Sequence, residues 1–251
     1  MSPPSIAAVV HAHDLDILNE TLKCLESIPG TFDLFLNFSY IPRDQKSKKY
    51  IRELKKNLCS AVPGNCYFTT SNNRGQDMGG MFSSLSIARE KNLSYDLICK
   101  IHTKRNEDTY ITAFGGTTRT KWRKDLFATL LGSSKRVEAI ISIFKTSPSV
   151  GFYSSKKYYC ENFIPAANKI NYIYFVKKLG LNPSQCWPKN PFFLAGSMFW
   201  IRGDIWEFLK KSSITVEDFE LGAGTDGTRA HAFERIINGI VHHLGFSSYC
   251  D

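Results

Sequence analysis

The chain of 251 residues is 43% hydrophobic and 22% charged, a composition typical of a soluble globular protein that can bury a sizeable core. Its seven cysteines form no CxxC pair, and neither a signal peptide nor an apolar span long enough to cross a bilayer can be recognised. These features argue against a disulfide-stabilised or membrane-spanning fold and predict a reducing, cytoplasmic location.

The formal net charge of +9 is informative because it favours partners that carry phosphate groups, such as a nucleotide sugar. Much of the excess lies in a lysine-rich segment, residues 46–56. Aromatic side chains are not interleaved regularly with these lysines, so no nucleic-acid partner is expected. A solvated helix face and association with an anionic membrane surface both remain open for this segment.

Apolar runs alternate with helical spacings over the first 105 residues. Strands are predicted at residues 6–10, 32–38, 66–70 and 95–101, and helices at residues 15–28, 48–58 and 81–91. Strands that alternate with helices form a mostly parallel sheet that helices flank on both faces. The sequence therefore predicts an α/β, Rossmann-like fold.

The remaining residues carry weaker signals. Helices are predicted at residues 122–131, 136–145, 172–179, 205–209 and 226–241, a short strand at 150–153, and one continuous strand at 193–202. The polar loop 106–120 is longer than a simple connection requires, which is typical of loops that cover an active site. Because no repeat or linker interrupts the chain, residues 1–251 are expected to form one domain.

A polar, glycine-rich segment, residues 71–80, precedes the third predicted helix. Its glycines Gly75, Gly79 and Gly80 would let backbone amides approach a ligand, and the helix N-terminus behind them favours an anion. The next strand ends in residues 102–105, His-Thr-Lys-Arg, at the edge where open α/β sheets bind ligands. The segment therefore predicts a nucleoside-diphosphate site, the alternative being a turn that only reverses the chain.

Residues 222–235 carry more polar side chains than a closing helix requires. Thr225 is predicted as the N-cap, which would place Asp226 in the first helical turn and keep its carboxylate ionised. An ionised carboxylate beside a glycine-rich loop can accept a proton from an incoming hydroxyl. Asp226 is therefore the candidate general base, with Glu220 and Glu234 as weaker candidates, unless Asp226 only strengthens the cap.

Short motifs occur in order along nearly the whole chain. They are residues 10–11, 28–29, 32–34, 73–77, 95–96, 100–104, 122–123, 195–202, 226–228, 230–232 and 234–235. The ordered set resembles the rhamnan synthesis protein F family of bacterial polysaccharide glycosyltransferases. The resemblance implies a GT-A-like fold and transfer of a sugar, rhamnose by analogy, from a UDP- or dTDP-linked donor to a glycan acceptor with inversion.

The resemblance also implies roles for particular residues. Residues up to about 105 would bind the nucleotide sugar and residues from about 106 would bind the acceptor. Asp226 would be the base. Trp200 and Phe199 could stack on a sugar face, but because neighbours in a strand point to opposite faces, a buried core position is expected for one of the two. The donor diphosphate would be bound by His11, Asn73, Arg74, Gly75, Asp77, His102, Lys104 and Arg105, and the acceptor by Ser197, Trp200, Arg202, Arg229 and His231.

One departure from the GT-A pattern concerns metal. Such enzymes hold a divalent cation with an acidic DxD pair, whereas here the strand ends in His102-Thr103-Lys104. Because Lys104 and Arg105 could offset the diphosphate charge directly, transfer is predicted to require no metal. If Mn²⁺ or Mg²⁺ is used, Asp77 with His102 is the best pair. The missing DxD also leaves open a catalytically silent module that binds nucleotide sugars or glycans.

Overall fold

The computed structural model describes residues 2–40, 44–104, 110–111, 116–161, 166–182, 192–222, 224 and 226–251. The described strands are β1 (Ile6–Ala12), β2 (Phe32–Phe38), β3 (Cys66–Thr70), β4 (Leu97–His102), β5 (Tyr110–Ile111), β6 (Thr117–Thr118), β7 (Val150–Ser154), β8 (Tyr159–Glu161), β9 (Phe192–Leu194), β10 (Phe199–Arg202) and β11 (Ser247–Cys250). The described α-helices are α1 (Leu18–Lys23), α2 (Gln45–Ala61), α3 (Gln76–Glu90), α4 (Arg119–Leu131), α5 (Ser134–Thr146), α6 (Ala166–Lys178), α7 (Gly203–Lys211) and α8 (Arg229–His243). Short 3₁₀ helices occupy Cys24–Ser27, Lys156–Tyr158 and Val216–Asp218.

A seven-stranded sheet in the order β11-β7-β10-β4-β1-β2-β3 forms the centre of the protein. Neighbouring strands are parallel except that β10 runs antiparallel to both β4 and β7. Every residue of β1 and β4 is buried, as expected for central strands that helices cover on both faces. The predicted α/β fold with a mostly parallel sheet is therefore confirmed.

The helix after the glycine-rich segment begins at Gln76 rather than at residue 81, so Gly79 and Gly80 lie inside its first turns. A Cβ atom on Gly80 would lie 2.2 Å from Nδ1 of His11, and one on Gly79 would lie 2.0 Å from the Arg74 carbonyl oxygen. These two glycines therefore allow α3 to pack closely against β1 and the preceding turn. Their predicted role as a loop that approaches a ligand is wrong.

The predicted strand at 193–202 is two strands, β9 and β10, with a turn between them. Gly196 and Ser197 in that turn have positive φ values of 110° and 53°. The carboxylate of Glu234 holds the turn, because its Oε1 accepts hydrogen bonds of 2.8 Å from both the Gly196 amide and Ser197 Oγ. Since β10 is antiparallel to β4, the turn lies at the carboxyl end of β4.

The last described helix, α8, begins three residues later than predicted. Its N-cap is Thr228, whose side chain accepts a hydrogen bond from the His231 amide. Asp226 therefore precedes the helix, and Thr225 lies outside the described residues. The polar strand β11 was not predicted, and it pairs with β7 at the edge of the sheet. Within the described ranges, no helix has the length and apolarity needed to span a membrane.

Candidate active site

A polar cleft of about 580 Å³ lies at the carboxyl ends of β1 and β4. Its sides are formed by the first turns of α3, α4 and α8 and by the turn between β9 and β10. This is the edge at which open α/β sheets bind ligands. The described side chains and backbone around it are those of His11, His13, Asn73, Gln76, Asp77, His102, Thr103, Lys104, Arg119, Trp122, Gly196, Ser197, Gly224, Ala230, His231 and Glu234.

The floor of the cleft contains an ion pair between a buried lysine and an aspartate that is 17% exposed. Lys100, which is 1% exposed, donates a hydrogen bond of 2.5 Å to Oδ2 of Asp77 and one of 2.7 Å to the Ser197 carbonyl oxygen. Burial acts to raise the pKa of Asp77, but the Lys100 ammonium outweighs this effect and holds the pKa well below its usual range. The Asp77 carboxylate therefore stays ionised, and its contacts with Lys100 connect β4, α3 and the turn before β10.

Two histidines of the floor are held neutral by burial. His11 donates from Nδ1 to Oδ1 of Asn37 at 2.7 Å, because the Asn37 amide nitrogen itself donates to Thr69 Oγ1 at 2.8 Å. Burial lowers the pKa of His11 to about 4 and that of His102 well below its ordinary value. Neither ring is therefore charged at neutral pH, and both can contact a diphosphate only as neutral hydrogen-bonding groups.

The pair that the sequence offered for a metal, Asp77 and His102, is close in space. Nδ1 of His102 lies 3.6 Å from Oδ2 of Asp77, but the ammonium of Lys100 binds the same carboxylate oxygen at 2.5 Å. A divalent cation would have to compete with that buried ammonium, so these residues fit a metal poorly. Among the residues that the structure describes, no group of three or more His, Cys, Asp or Glu side chains is arranged to hold a metal.

One wall of the cleft carries charges that are less deeply buried. The Lys104 ammonium lies 3.4 Å from the centroid of the Trp122 ring, a cation–π contact. Burial lowers the pKa of Lys104 to about 8, although the carboxylates of Glu234 and Asp77 oppose this shift. Arg119 begins α4 beside them and also lines the cleft. The wall therefore combines two cations, an indole ring and the carboxylate of Glu234.

The glycine-rich segment enters the cleft with a strained backbone. Asn72, Asn73 and Gln76 have positive φ values of 49°, 58° and 52°, a conformation that costs energy for residues other than glycine. Hydrogen bonds hold it, since the Asn73 amide donates to Ser39 O at 2.5 Å and its carbonyl accepts from the Gly222 amide at 2.8 Å. Strain of this kind is typical of functional sites.

Seven of the predicted site residues line the cleft: His11, Asn73, Asp77, His102, Lys104, Ser197 and His231. Arg74, Gly75 and Arg229 instead hold the segment 217–222. Arg74 donates to the Phe219 carbonyl oxygen at 2.9 Å, and a Cβ atom on Gly75 would lie 2.5 Å from the Phe219 ring. Arg229 donates to the Asp218 carbonyl oxygen at 2.7 Å. Arg105 lies outside the described residues.

Three residues expected beside a sugar are engaged elsewhere. Trp200 is fully buried and donates from Nε1 to the Leu130 carbonyl oxygen at 3.1 Å, and the buried ring of Phe199 packs on Phe152. Arg202 donates to the carbonyl oxygens of residues 144 and 150 at the far end of β10, away from the cleft. The expectation that Trp200 and Phe199 stack on a sugar and that Arg202 binds the acceptor is therefore wrong.

Asp226 is not among the residues that line the cleft, although Gly224 and His231, on either side of it in the sequence, do line it. The side chain of Asp226 is 40% exposed. Its Oδ1 accepts a hydrogen bond of 2.8 Å from Asn168 and lies 3.4 Å from a guanidinium nitrogen of Arg235. Partial burial would raise the pKa of Asp226, but the hydrogen bonds from Asn168 and the Gly227 backbone lower it overall. The carboxylate is therefore ionised, and it belongs to the segment before α8, here called the mouth of the cleft, whose neighbours Gly224 and His231 line it.

Several residues that line the cleft were not assigned to it from the sequence. Arg119 lies near the end of the polar loop 106–120 that was expected to cover the site, and Trp122 follows it, so this loop was the signal that could have indicated them. Glu234 was placed too deep in the last helix, but α8 begins three residues later, which brings Glu234 about one turn nearer the helix start. Gln76 and Thr103 border residues that were assigned.

The fold and the cleft define an α/β protein with a polar cleft at the carboxyl edge of its sheet. The profile of the family described as rhamnan synthesis protein F matches residues 1–245, and the chain belongs to this family. The chain is also 27% identical over 248 residues to proteins named "Uncharacterized protein WxcX" from two strains of Xanthomonas campestris pv. campestris, B100 and ATCC 33913. The match covers 96% of this chain but 32% of each relative, so the chain spans about a third of their length.

Proposed function

We propose that the protein is a GT-A-like glycosyltransferase that transfers a sugar from a nucleoside diphosphate to a glycan acceptor in polysaccharide synthesis. The family to which the chain belongs points to rhamnose as this sugar. The observation that carries this proposal is the division of charge around one cleft. Cations of Lys104 and Arg119 line it beside the ends of β1 and β4, and an ionised carboxylate, Asp226, belongs to the segment that forms its mouth, between the lining residues Gly224 and His231. Membership of a family named for rhamnan synthesis supports the substrate class.

The donor diphosphate is proposed to bind at the wall formed by Lys104 and Arg119, next to the first turn of α3. Charged donors bind phosphate oxygens strongly, and a helix N-terminus favours an anion. Gln76 adds an amide nitrogen that is buried and makes no hydrogen bond to the described residues. Because the departing diphosphate gains negative charge, fixed cations at this position would stabilise the transition state without a metal.

The acceptor is proposed to approach past Ser197 and His231, with Asp226 as the general base of an inverting transfer. Among the described residues, the two carboxylates that line the cleft are engaged in holding its floor and its wall. Asp77 is bound by Lys100, and Oε1 of Glu234 accepts two hydrogen bonds from the turn before β10. Asp226 is ionised and accessible, which a base for an incoming hydroxyl requires.

The proposal is tested by calorimetric titration with UDP and dTDP, followed by an assay of sugar transfer and donor hydrolysis with the matching rhamnose nucleotides. Lys104→Ala should weaken binding of the nucleoside diphosphate by about 1.5–3 kcal/mol, the usual value of a charged hydrogen bond. The control is Lys124→Ala, an exposed lysine on the same helix as Trp122, which should leave affinity unchanged.

The outcomes separate the competing functions. Absence of binding by either nucleotide, or equal affinity in wild type and Lys104→Ala, would overturn the proposed donor site. Binding without any release of nucleoside diphosphate, even with polysaccharide acceptors present, would instead identify a catalytically silent nucleotide-sugar module.

A further inference from the structure

The indole ring of Trp122 is a flat apolar surface in the wall of the cleft, and neighbouring residues fix its position. The fully buried Tyr158 packs against it with ring centroids 5.4 Å apart, and the Tyr158 hydroxyl donates to Asp125 Oδ2 at 2.8 Å. On the side of the turn before β10, a Cβ atom on Gly196 would lie 3.0 Å from the indole Nε1. The ring therefore has little freedom to turn away from the cleft.

The groups beside this ring are those that bind a sugar. Ser197 Oγ and the Glu234 carboxylate line the same part of the cleft and are joined to each other at 2.8 Å. A pyranose presents C–H groups on its faces and hydroxyls at its rim. An apolar ring bordered by polar acceptors therefore matches both features, and aromatic faces with a few placed polar groups are typical of such pockets.

One contact obstructs this use of the ring. The Lys104 ammonium lies on the indole, 3.4 Å from the ring centroid. The same ammonium is the cation proposed to bind the donor diphosphate, so it cannot serve both partners in one position. A lysine side chain is flexible along its four-carbon stem, and a diphosphate attracts it more strongly than a π face does, because the diphosphate carries full negative charges.

We propose that Trp122 is the stacking surface for the transferred sugar and that Lys104 covers it until the donor diphosphate draws the ammonium away. This inference rests on the proposed glycosyltransferase function. When Lys104 binds the diphosphate, it uncovers the Trp122 ring, on which the attached sugar then packs. Diphosphate and sugar binding are then positively coupled through the position of one side chain.

The test compares the affinities of dTDP and dTDP-L-rhamnose, or of the UDP pair if UDP binds better, for wild type and Trp122→Leu. The leucine variant no longer holds Lys104, so it should bind the bare nucleotide as tightly as wild type or up to about tenfold more tightly. It should lose the additional affinity that the sugar gives, on the order of tenfold. Trp122→Phe, which keeps an aromatic face, should retain most of this additional affinity for dTDP-L-rhamnose over dTDP, which is called the sugar increment below.

Two controls separate stacking from a structural role. Phe208→Leu removes a half-buried aromatic ring on α7 and should change neither affinity. Lys104→Ala should weaken dTDP binding but keep the sugar increment, because the indole is then uncovered. If Trp122→Leu weakens dTDP and dTDP-rhamnose equally, the indole is only part of the wall and the inference is wrong. A wild type that binds neither nucleotide would refute the proposed function itself.

Tryptophan fluorescence tests the inference even if Trp122→Leu does not fold. Trp200 and Trp206 are fully buried and are not among the residues that line the cleft, and a Trp187→Phe background removes the remaining indole besides Trp122. Saturating dTDP should change the emission of this protein as the ammonium leaves the ring, and Lys104→Ala saturated with dTDP should show no such change. Unchanged emission at saturating dTDP in the protein that retains Lys104 would overturn the inference.

Discussion

The floor and the wall of the cleft hold similar side chains in different states. In the floor, Asp77 and Lys100 are bound to each other, and His11 is bonded to Asn37 and kept neutral. In the wall and at the mouth, Lys104 rests on an indole face and Asp226 is 40% exposed. Both regions are polar, but only the second has charges that a ligand can reach without breaking a buried pair.

This difference separates residues that build the site from residues that can act in it. A buried charge that lost its partner would be left uncompensated, so the floor groups have to remain paired. A charge at the wall can exchange one partner for another at a small free-energy cost, because it can contact solvent or an aromatic face when no ligand is bound. Substitutions in the floor are therefore expected to affect stability, and substitutions at the wall and mouth to affect binding and turnover.

The largest effect is expected at the mouth. Asp226→Asn should reduce sugar transfer by roughly 10²–10⁴-fold, the usual contribution of a positioned base. Stability should hardly change, because Thr228 rather than Asp226 caps α8 and an asparagine can still accept the hydrogen bond from Asn168. The measurement is transfer rate at saturating donor together with thermal unfolding.

Glu234→Gln serves as the matched control for this prediction, since it neutralises the other carboxylate beside the acceptor path. The glutamine oxygen can still accept from the Gly196 amide and Ser197 Oγ. Its transfer rate should fall much less than that of Asp226→Asn. If the order is reversed, Glu234 is the base and Asp226 only orders the segment before α8.

The next effect concerns the floor. Lys100→Met removes the buried ammonium that balances Asp77 while keeping a side chain of similar length, so the mostly buried carboxylate, 17% exposed, is left without this partner. Loss of one partner from such a pair destabilises a protein by about 3–5 kcal/mol, which urea unfolding would measure. Lys56→Met, at an exposed position on α2, should stay within about 0.5 kcal/mol of wild type. Equal stability of the two variants would contradict the view that the floor pair supports the fold.

The first half of the chain was predicted well because its signals are local. Strands β1 to β4 are apolar runs whose burial follows from their own composition, and their parallel order fixes the edge that carries His11, His102 and Lys104. The segment 71–80 was correctly assigned to that edge, although its helix starts earlier than expected. Periodicity and strand ends were sufficient for this part of the site.

The second half depends on contacts between residues far apart in the sequence. The turn at Gly196 and Ser197 is held by hydrogen bonds to Glu234, which lies 38 residues after Gly196 in the sequence. No local sequence pattern predicts that contact. Without the turn, residues 193–202 look like one strand, and Trp200 and Arg202 are then assigned to the wrong environment. The position of Trp122 beside Lys104 likewise follows from how α4 packs, which spacing alone does not determine.

The smallest effect, and the sharpest comparison of wall with floor, is the pH dependence of nucleotide binding. The pKa of Lys104 is about 8, below its ordinary value, because burial disfavours the charged form. The cation is therefore present at pH 7 and is lost as pH rises through 8. Affinity for dTDP or UDP should be nearly constant from pH 6.5 to 7.5 and then fall by at most about tenfold per pH unit, since binding requires uptake of one proton.

The change in folding stability with pH distinguishes this loss of nucleotide affinity from a loss caused by unfolding. Between pH 8 and the ordinary lysine pKa, the unfolded chain binds more protons at this residue than the folded protein does, so this group makes stability rise with pH. Binding and stability should thus move in opposite directions, as calorimetry and urea unfolding in the same buffers would measure. Lys104→Arg, which stays charged, should flatten the affinity profile up to pH 9. A wild-type profile that is already flat, or an arginine variant with the same slope, would show that Lys104 does not meet the diphosphate.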